Sequence, residues 1–226
     1  MASRDFTSIQ SPAVQDYAKA IYALERRDGS VSTNALADRL GVTAASASGM
    51  VKRLDELGLV EHQPYRGVSL TDDGRRVALE VMRHHRLLEL YLVETLGVPW
   101  DRVHQEAEVL EHVLSEELEE LIAAKLGDPT HDPHGDPIPT RDLRIEEGST
   151  QSLQALEVGA RGRFARVSDS DPEMLRFLAD RGIAPGDSLE VLDKQPFDGP
   201  LFVRFGDHVQ VLGGALAQAM RVEVSR

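Results

Sequence analysis

Six residues in the middle of the chain carry side chains able to hold a metal ion. His85 and Glu89 are four apart, and His104, Glu108, Glu111 and His112 follow at intervals of four, three and one. Residues three and four apart on a helix share a face, so two helices here would present imidazole nitrogens and carboxylate oxygens to one side. Such groups gathered on facing helices form the donor set of a divalent transition metal. One His-x-x-x-Glu pair is equally an intrahelical ion pair; two such segments in one acidic stretch carry more weight. His62, His84, His131, His134 and His208 read as surface or loop residues, whereas His85, His104 and His112 each have a carboxylate adjacent or one turn away.

The whole composition narrows the chemistry. A chain of 226 residues has room for more than one domain. It has no cysteine, so any metal must be held by oxygen and nitrogen, and a cytoplasmic location is compatible. No apolar run is long enough to span a bilayer, and the start, MASRDFTSIQSPAVQDY, lacks the basic-then-apolar order of a signal peptide. The net charge of −13 is unevenly spread. Residues 1–75 carry 9 Lys+Arg against 10 Asp+Glu, residues 76–140 carry 5 against 14, and residues 141–226 carry 11 against 14. The acid thus concentrates around the candidate ligands. Glu116, Glu117, Glu119 and Glu120 read as a solvated helix face.

Elements to position these residues are legible. Residues 12–27, 32–40 and 43–57 have helical spacing, with caps near Ser32 and Thr43 and stops at Gly41 and Gly58. Two short strands follow, Leu59–Gln63 and Val68–Thr71, around the turn Pro64-Tyr65-Arg66-Gly67. That order is a winged helix-turn-helix. A long helix is expected from Asp72 to Leu96, and a second from a cap at Asp101 to Lys125 or Leu126. Residues 128–152 read as loop and linker. Then come LQALEVG, GRFARVS, SLEVLD, LFVRF and HVQVL, interrupted by one amphipathic helix from Asp171 to Arg181. They predict a small, partly open β-barrel. The expected fold is mainly α with a C-terminal β-domain: 1–75 for DNA binding, 76–141 helical for metal binding and dimerisation, 142–152 linker, 153–226 β. Leu87, Tyr91 and Leu110 are apolar candidates for the dimer interface.

The third helix begins with small residues, and a recognition helix presents its first residues to base edges. Thr43, Ser46 and Ser48 can bond bases or phosphates, and Ala45 can touch a thymine methyl. Lys52, Arg53 and the wing-tip Arg66 are phosphate candidates.

The run RHHRLLELYLVETLG…VHQEAEVLEHVLSEELEE, with a winged helix before it and DPHGDPIP and a β-rich segment after it, resembles the diphtheria toxin repressor family over nearly the whole chain. Its members are metal-dependent transcriptional repressors of metal uptake. The resemblance implies an SH3-like, FeoA-type C-terminal domain and two metal positions. The primary one would use Asp16, Glu108, Glu111 and His112. The ancillary one would use His85, Glu89 and His104 with a group from the C-terminal domain; in SDSDPEML, Asp169 is taken as that ligand and Asp171 as a helix cap. Asp16 and Glu108 stand where the iron-responsive members have methionine and cysteine, which resembles the manganese transport regulators. Oxygen-rich sites suit Mn²⁺. Lys19 stands where the short two-domain manganese regulators have a further glutamate, so one primary and one distinct ancillary metal are expected, as in the three-domain members.

The reading is a Mn²⁺-activated, homodimeric, cytoplasmic repressor of metal-uptake genes that binds palindromic operator DNA, with Fe²⁺, Co²⁺ or Zn²⁺ able to bind in vitro. It expects no membrane partner, no small-molecule substrate and no enzymatic activity. The alternatives are an iron-responsive regulator of the same family and a di-metal hydrolase, which would need an open coordination position and a substrate pocket.

Overall fold

The computed structural model describes residues 11–29, 31–63, 67–146 and 148–225. They fall into two compact units: Met1–His85, Glu108–Glu119 and Pro139–Arg144 in the first, and Arg86–Ala107, Glu120–Ile138 and Ile145–Arg226 in the second.

The first unit opens with α1 (Pro12–Asp28), whose Val14, Tyr17, Ala18, Ile21 and Leu24 form a buried stripe at helical spacing. Ser32 caps α2 (Thr33–Leu40) by accepting from the Ala35 N–H, and Gly41 ends it in the left-handed conformation. Thr43 caps α3 (Ala44–Glu56) in the same way through the Ser46 N–H. Ala47, Val51 and Leu54 hold α3 to the core, which leaves its other face in solvent. The wing is β1 (Val60–Gln63) antiparallel to β2 (Gly67–Leu70), with Val31 bridging to Val68. Then α4 (Asp72–Leu96) begins hard against the wing base. A Cβ at Gly74 would lie 1.9 Å from the Leu59 carbonyl oxygen, so only glycine fits.

The second long helix is not continuous. It divides into α5 (Val103–Leu110) and α6 (Glu116–Lys125). Ser115 starts α6, its hydroxyl accepting from the Leu118 N–H and its carbonyl from the Glu119 N–H. Glu116, Glu117 and Glu119 then place negative charge in the first turn, where the helix dipole favours it. Glu111 and His112 consequently sit in the intervening turn, and the shared helical face inferred from their spacing does not extend to them.

In the second unit, a six-stranded sheet runs in the order β3-β8-β4-β5-β6-β7, with every pairing antiparallel. Its strands are β3 (Gln151–Ser152), β4 (Arg161–Val167), β5 (Ser188–Lys194), β6 (Leu201–Phe205), β7 (His208–Leu212) and β8 (Met220–Val224). Phe164, Leu175, Leu178, Leu201, Leu212 and Met220 lie in its core, against which Trp100 packs. Between the strands lie α7 (Pro172–Ala179) and a short α8 (Gly214–Ala219). Two expectations change. LQALEVG is not a strand: pairing stops at Ser152 and Leu153–Ala155 forms a 3₁₀ turn that sends Leu153 and Leu156 into the core. The run MRVEV, absent from the expected strands, forms β8 between β3 and β4. Leu87 is fully buried within the chain and so offers nothing to a partner surface, whereas Val109, Leu110, Val113 and Leu118 are exposed. Among the described residues no helix is long and apolar enough to cross a membrane.

Candidate metal centres and nucleic-acid interface

In the first unit, α1 supplies Gln15, Asp16 and Lys19, α4 supplies His85, α5 supplies Glu108, and the turn after α5 supplies Glu111 and His112. One donor atom from each of Asp16, Glu111 and His112 lies within 4.8 Å of the others, and the same holds for His85, Glu108 and Glu111. Glu111 is shared and almost wholly buried. Its Oε2 accepts from His85 Nδ1, and its Oε1 lies 2.6 Å from Lys19 Nζ. Burial pushes the Glu111 carboxyl up, but His85 and Lys19 outweigh it and hold the group below the usual carboxylate range. Burial pushes the Asp16 carboxyl up; His112 and Lys19 oppose this, and Glu108 and Glu111 add to it.

The geometry around His112 fits a cation. Its Nδ1 is 2.7 Å from the Gln15 side-chain oxygen, which holds the ring proton there. Nε2 then turns its lone pair towards Asp16 Oδ1 at 3.0 Å and Glu111 Oε1 at 3.6 Å. Asp16 Oδ1 is buried and makes no hydrogen bond. Electron-rich atoms converging in this way have the arrangement of ligands around a shared positive ion. Gln15 has no spacing signal in the sequence; only its position beside Asp16 could have marked it.

The second unit holds another group. His104 Nδ1 on α5 is 3.3 Å from Glu89 Oε1 on α4 and 3.0 Å from Asp169 Oδ2 in the loop after β4. Hydrogen bonds to Asp169 and Glu89 overcome burial and raise the His104 pKa to about 10. Asp171 points elsewhere: it caps α7, accepting from the Glu173 and Met174 N–H groups. His85 precedes Glu89 by one turn on α4.

Two further residues join Glu89, and their position in the DPHGDPIP loop does not leave them at the surface. Glu89, Asp132 and His134 are all buried, with donor atoms within 4.8 Å. His134 is only 1% exposed, and His84, also read as a surface residue, is 6% exposed. His134 Nε2 is 2.8 Å from the Trp100 carbonyl oxygen and its ring stacks on the indole, so Nδ1 faces Glu89 Oε2 at 3.6 Å with no hydrogen bond. Burial lowers the His134 pKa, yet Glu89 and Asp132 raise it to about 9. Burial, with Asp136 and Glu89, pushes Asp132 up to about 8. The loop closes so tightly that a Cβ on Gly135 would meet the Ala165 carbonyl oxygen at 2.0 Å. The Asp-x-His spacing was the available signal, but a loop rich in Pro and Gly gives it no regular face to mark.

Thr43 at the cap of α3, and Ala45, Ser46, Ser48, Lys52 and Arg53 along it, are exposed. Thr43 Oγ1 is 2.9 Å from Ser46 Oγ, and Ser48 donates to the Ala44 carbonyl, so these hydroxyls are held by short local bonds. Arg66 lies outside the described residues.

A helix-turn-helix with a wing, joined to buried carboxylate–imidazole clusters, defines a DNA-binding regulator that responds to metal. Comparison with known proteins agrees. Residues 11–68 match the iron dependent repressor N-terminal DNA binding domain, residues 71–140 match its metal binding and dimerisation domain, and residues 151–224 match the FeoA domain. The iron-dependent repressor IdeR of Mycobacterium tuberculosis is 32% identical over 92% of this chain and 95% of its own length. The diphtheria toxin repressor of Corynebacterium efficiens is 32% identical over 92% and 93%. A solved manganese-dependent transcriptional repressor in complex with manganese is 45% identical, with TM-score 0.86 over 93% of this chain and 99% of that one. The chain belongs to the diphtheria toxin repressor family of metal-dependent transcriptional repressors, which are not enzymes.

Proposed function

We propose that this repressor is activated by Mn²⁺, acts as a homodimer on palindromic operator DNA and controls metal-uptake genes. The observation that carries the reading is the sulfur-free convergence of Asp16, Glu111 and His112, with Glu108 beside them. Three carboxylates and one imidazole form a hard donor set of the kind Mn²⁺ accepts. The IdeR relative is iron-dependent by name and the solved 45%-identical relative carries manganese; the donor chemistry here favours the second. A divalent ion would supply the positive charge and directional bonding that this set requires. Asp16 would tie α1, and through it the helix-turn-helix, to Glu108, Glu111 and His112. Without the ion, Lys19 offsets only part of the repulsion among the three carboxylates, and that tie is looser.

The ancillary centre would draw on His85, Glu89, His104 and Asp169, with Asp132 and His134 as further donors around Glu89. The domains would divide at 1–75, 76–141 and 153–226 with a linker at 142–152. Thr43, Ala45, Ser46 and Ser48 would face base edges, with Lys52, Arg53 and Arg66 on phosphates. Exposed Val109, Val113 and Leu118 support a dimer surface.

The test is operator affinity at fixed salt in excess chelator and then at saturating Mn²⁺, Fe²⁺, Co²⁺ or Zn²⁺. Specific binding should require metal; equal affinity in chelator sinks the switch. The double variant Asp16→Met/Glu108→Cys should shift the response towards the later, softer ions. If the variant keeps the native metal order, the manganese reading loses its chemical support.

A further inference from the structure

Lys19 is a cation already seated among the carboxylates of the primary centre. Its Nζ lies 2.7 Å from Glu108 Oε1 and 2.6 Å from Glu111 Oε1, with the side chain only 21% exposed. Both oxygens of Glu111 are thereby engaged, Oε1 by Lys19 and Oε2 by His85. Oε1 is also the Glu111 oxygen that faces His112 Nε2. An ion drawn in by Asp16, Glu111 and His112 must therefore contend with the ammonium for that same atom. An ammonium can donate to two carboxylates, but its single charge offsets only one of the three, so it steadies this cluster without completing it.

We propose that Lys19 is the resident counter-cation of the primary centre: it holds Glu108 and Glu111 together, and a divalent metal binds by displacing it from Glu111. This rests on the reading of Asp16, Glu108, Glu111 and His112 as ligands. Lys19 is then an affinity-setting residue. It keeps the carboxylates gathered and lowers the net attraction for metal, which raises the concentration at which the centre fills.

The test is Mn²⁺ affinity of the full chain, by competition with a chelating indicator at fixed pH and salt. Lys19→Met, which keeps the apolar stem, should bind Mn²⁺ on the order of tenfold more tightly, because a competing positive charge is gone. Lys19→Arg, which keeps the charge, should stay near the native value. Unchanged or weaker binding by folded Lys19→Met overturns the proposal. The native chain gives an independent readout should Lys19→Met fail to fold. It has only four lysines, Lys19, Lys52, Lys125 and Lys194, so the Cε resonance of Lys19 can be assigned as the one missing from Lys19→Arg. Adding diamagnetic Zn²⁺ should move it to the position of a solvated lysine; a resonance that stays in place while Zn²⁺ binds overturns displacement. If Asp16→Ala and Glu111→Gln both bind Mn²⁺ as tightly as the native chain, the ligand reading itself falls, and the role of Lys19 with it.

Discussion

At the scale of single residues, the first unit gathers charges that neutralise one another. Beside the Lys19–Glu111–His85 chain runs a second one. Glu119 Oε1 lies 2.6 Å from Arg83 Nε, and its Oε2 lies 2.9 Å from His84 Nε2, off the line of a hydrogen bond. Burial pushes Glu119 up, but His84 and Arg83 hold it below its ordinary 4.5; burial likewise lowers His84, but Glu119 and the Glu111 carbonyl raise it above 6.5. The stability due to Glu119 is present above 4.5 and is lost as pH falls through its lowered value; that due to His84 is present below 6.5 and is lost as pH rises through its raised value. Both contributions are thus complete between 4.5 and 6.5. Chemical denaturation at about pH 5.5 and about pH 8.5 should show the native chain losing more stability across that interval than His84→Gln. Parallel losses in the two proteins would show that this pair does not set the trend. The spacing of His85, Glu108, Glu111 and His112 marked most of the first cluster, yet Lys19 is a cation and Gln15 has no spacing signal, so their contacts appear only once α1 is packed.

At the scale of elements, local signals and long-range packing part company. The caps Ser32 and Thr43 and the stop at Gly41 are local chemistry, and α2 and α3 follow them. The bounds of α4 also follow from its pattern. Apolar spacing alone ran through residues 111–115, where the Ser115 cap and the acidic first turn of α6 in fact break the helix. β8 was missed because its alternation spans only five residues, although it pairs on both sides. The DPHGDPIP loop is polar in composition and buried in place, held by Asp132 accepting from the His134 and Asp136 N–H groups. The segment before α7 separates two carboxylates by function. Asp171→Ala should cost about 1 kcal/mol of stability through the lost cap and leave metal affinity intact. Asp169→Ala should keep the fold and weaken binding at the second centre. Isothermal titration of the two variants decides; the opposite pattern would exchange the two roles.

At the scale of the whole molecule, the net charge of −13 did not betray a DNA-binding protein; the near-neutral N-terminal segment and the order of its elements did. What the chain leaves uncovered is informative. Val109 is 72% exposed and Val113 77%, and the proposed dimer would cover such apolar side chains. Replacing Val109 and Val113 by glutamate should convert a dimer to monomers in sedimentation equilibrium. Operator affinity should fall sharply, since two half-sites then need two independent binding events, while Mn²⁺ affinity is kept. A double variant that still sediments as a dimer would place the interface elsewhere.

The donors around Glu111 and around Glu89 are imidazole nitrogens and carboxylate oxygens throughout. Sulfur ligands tie a sensor to the oxidant load of its surroundings, because a thiolate climbs from sulfenic to sulfonic acid and a thioether becomes a sulfoxide. Neither centre here contains an atom on that ladder. With these residues as the ligands, thiol-directed oxidants have nothing to attack among them, and a metal response built on them does not follow the thiol redox state.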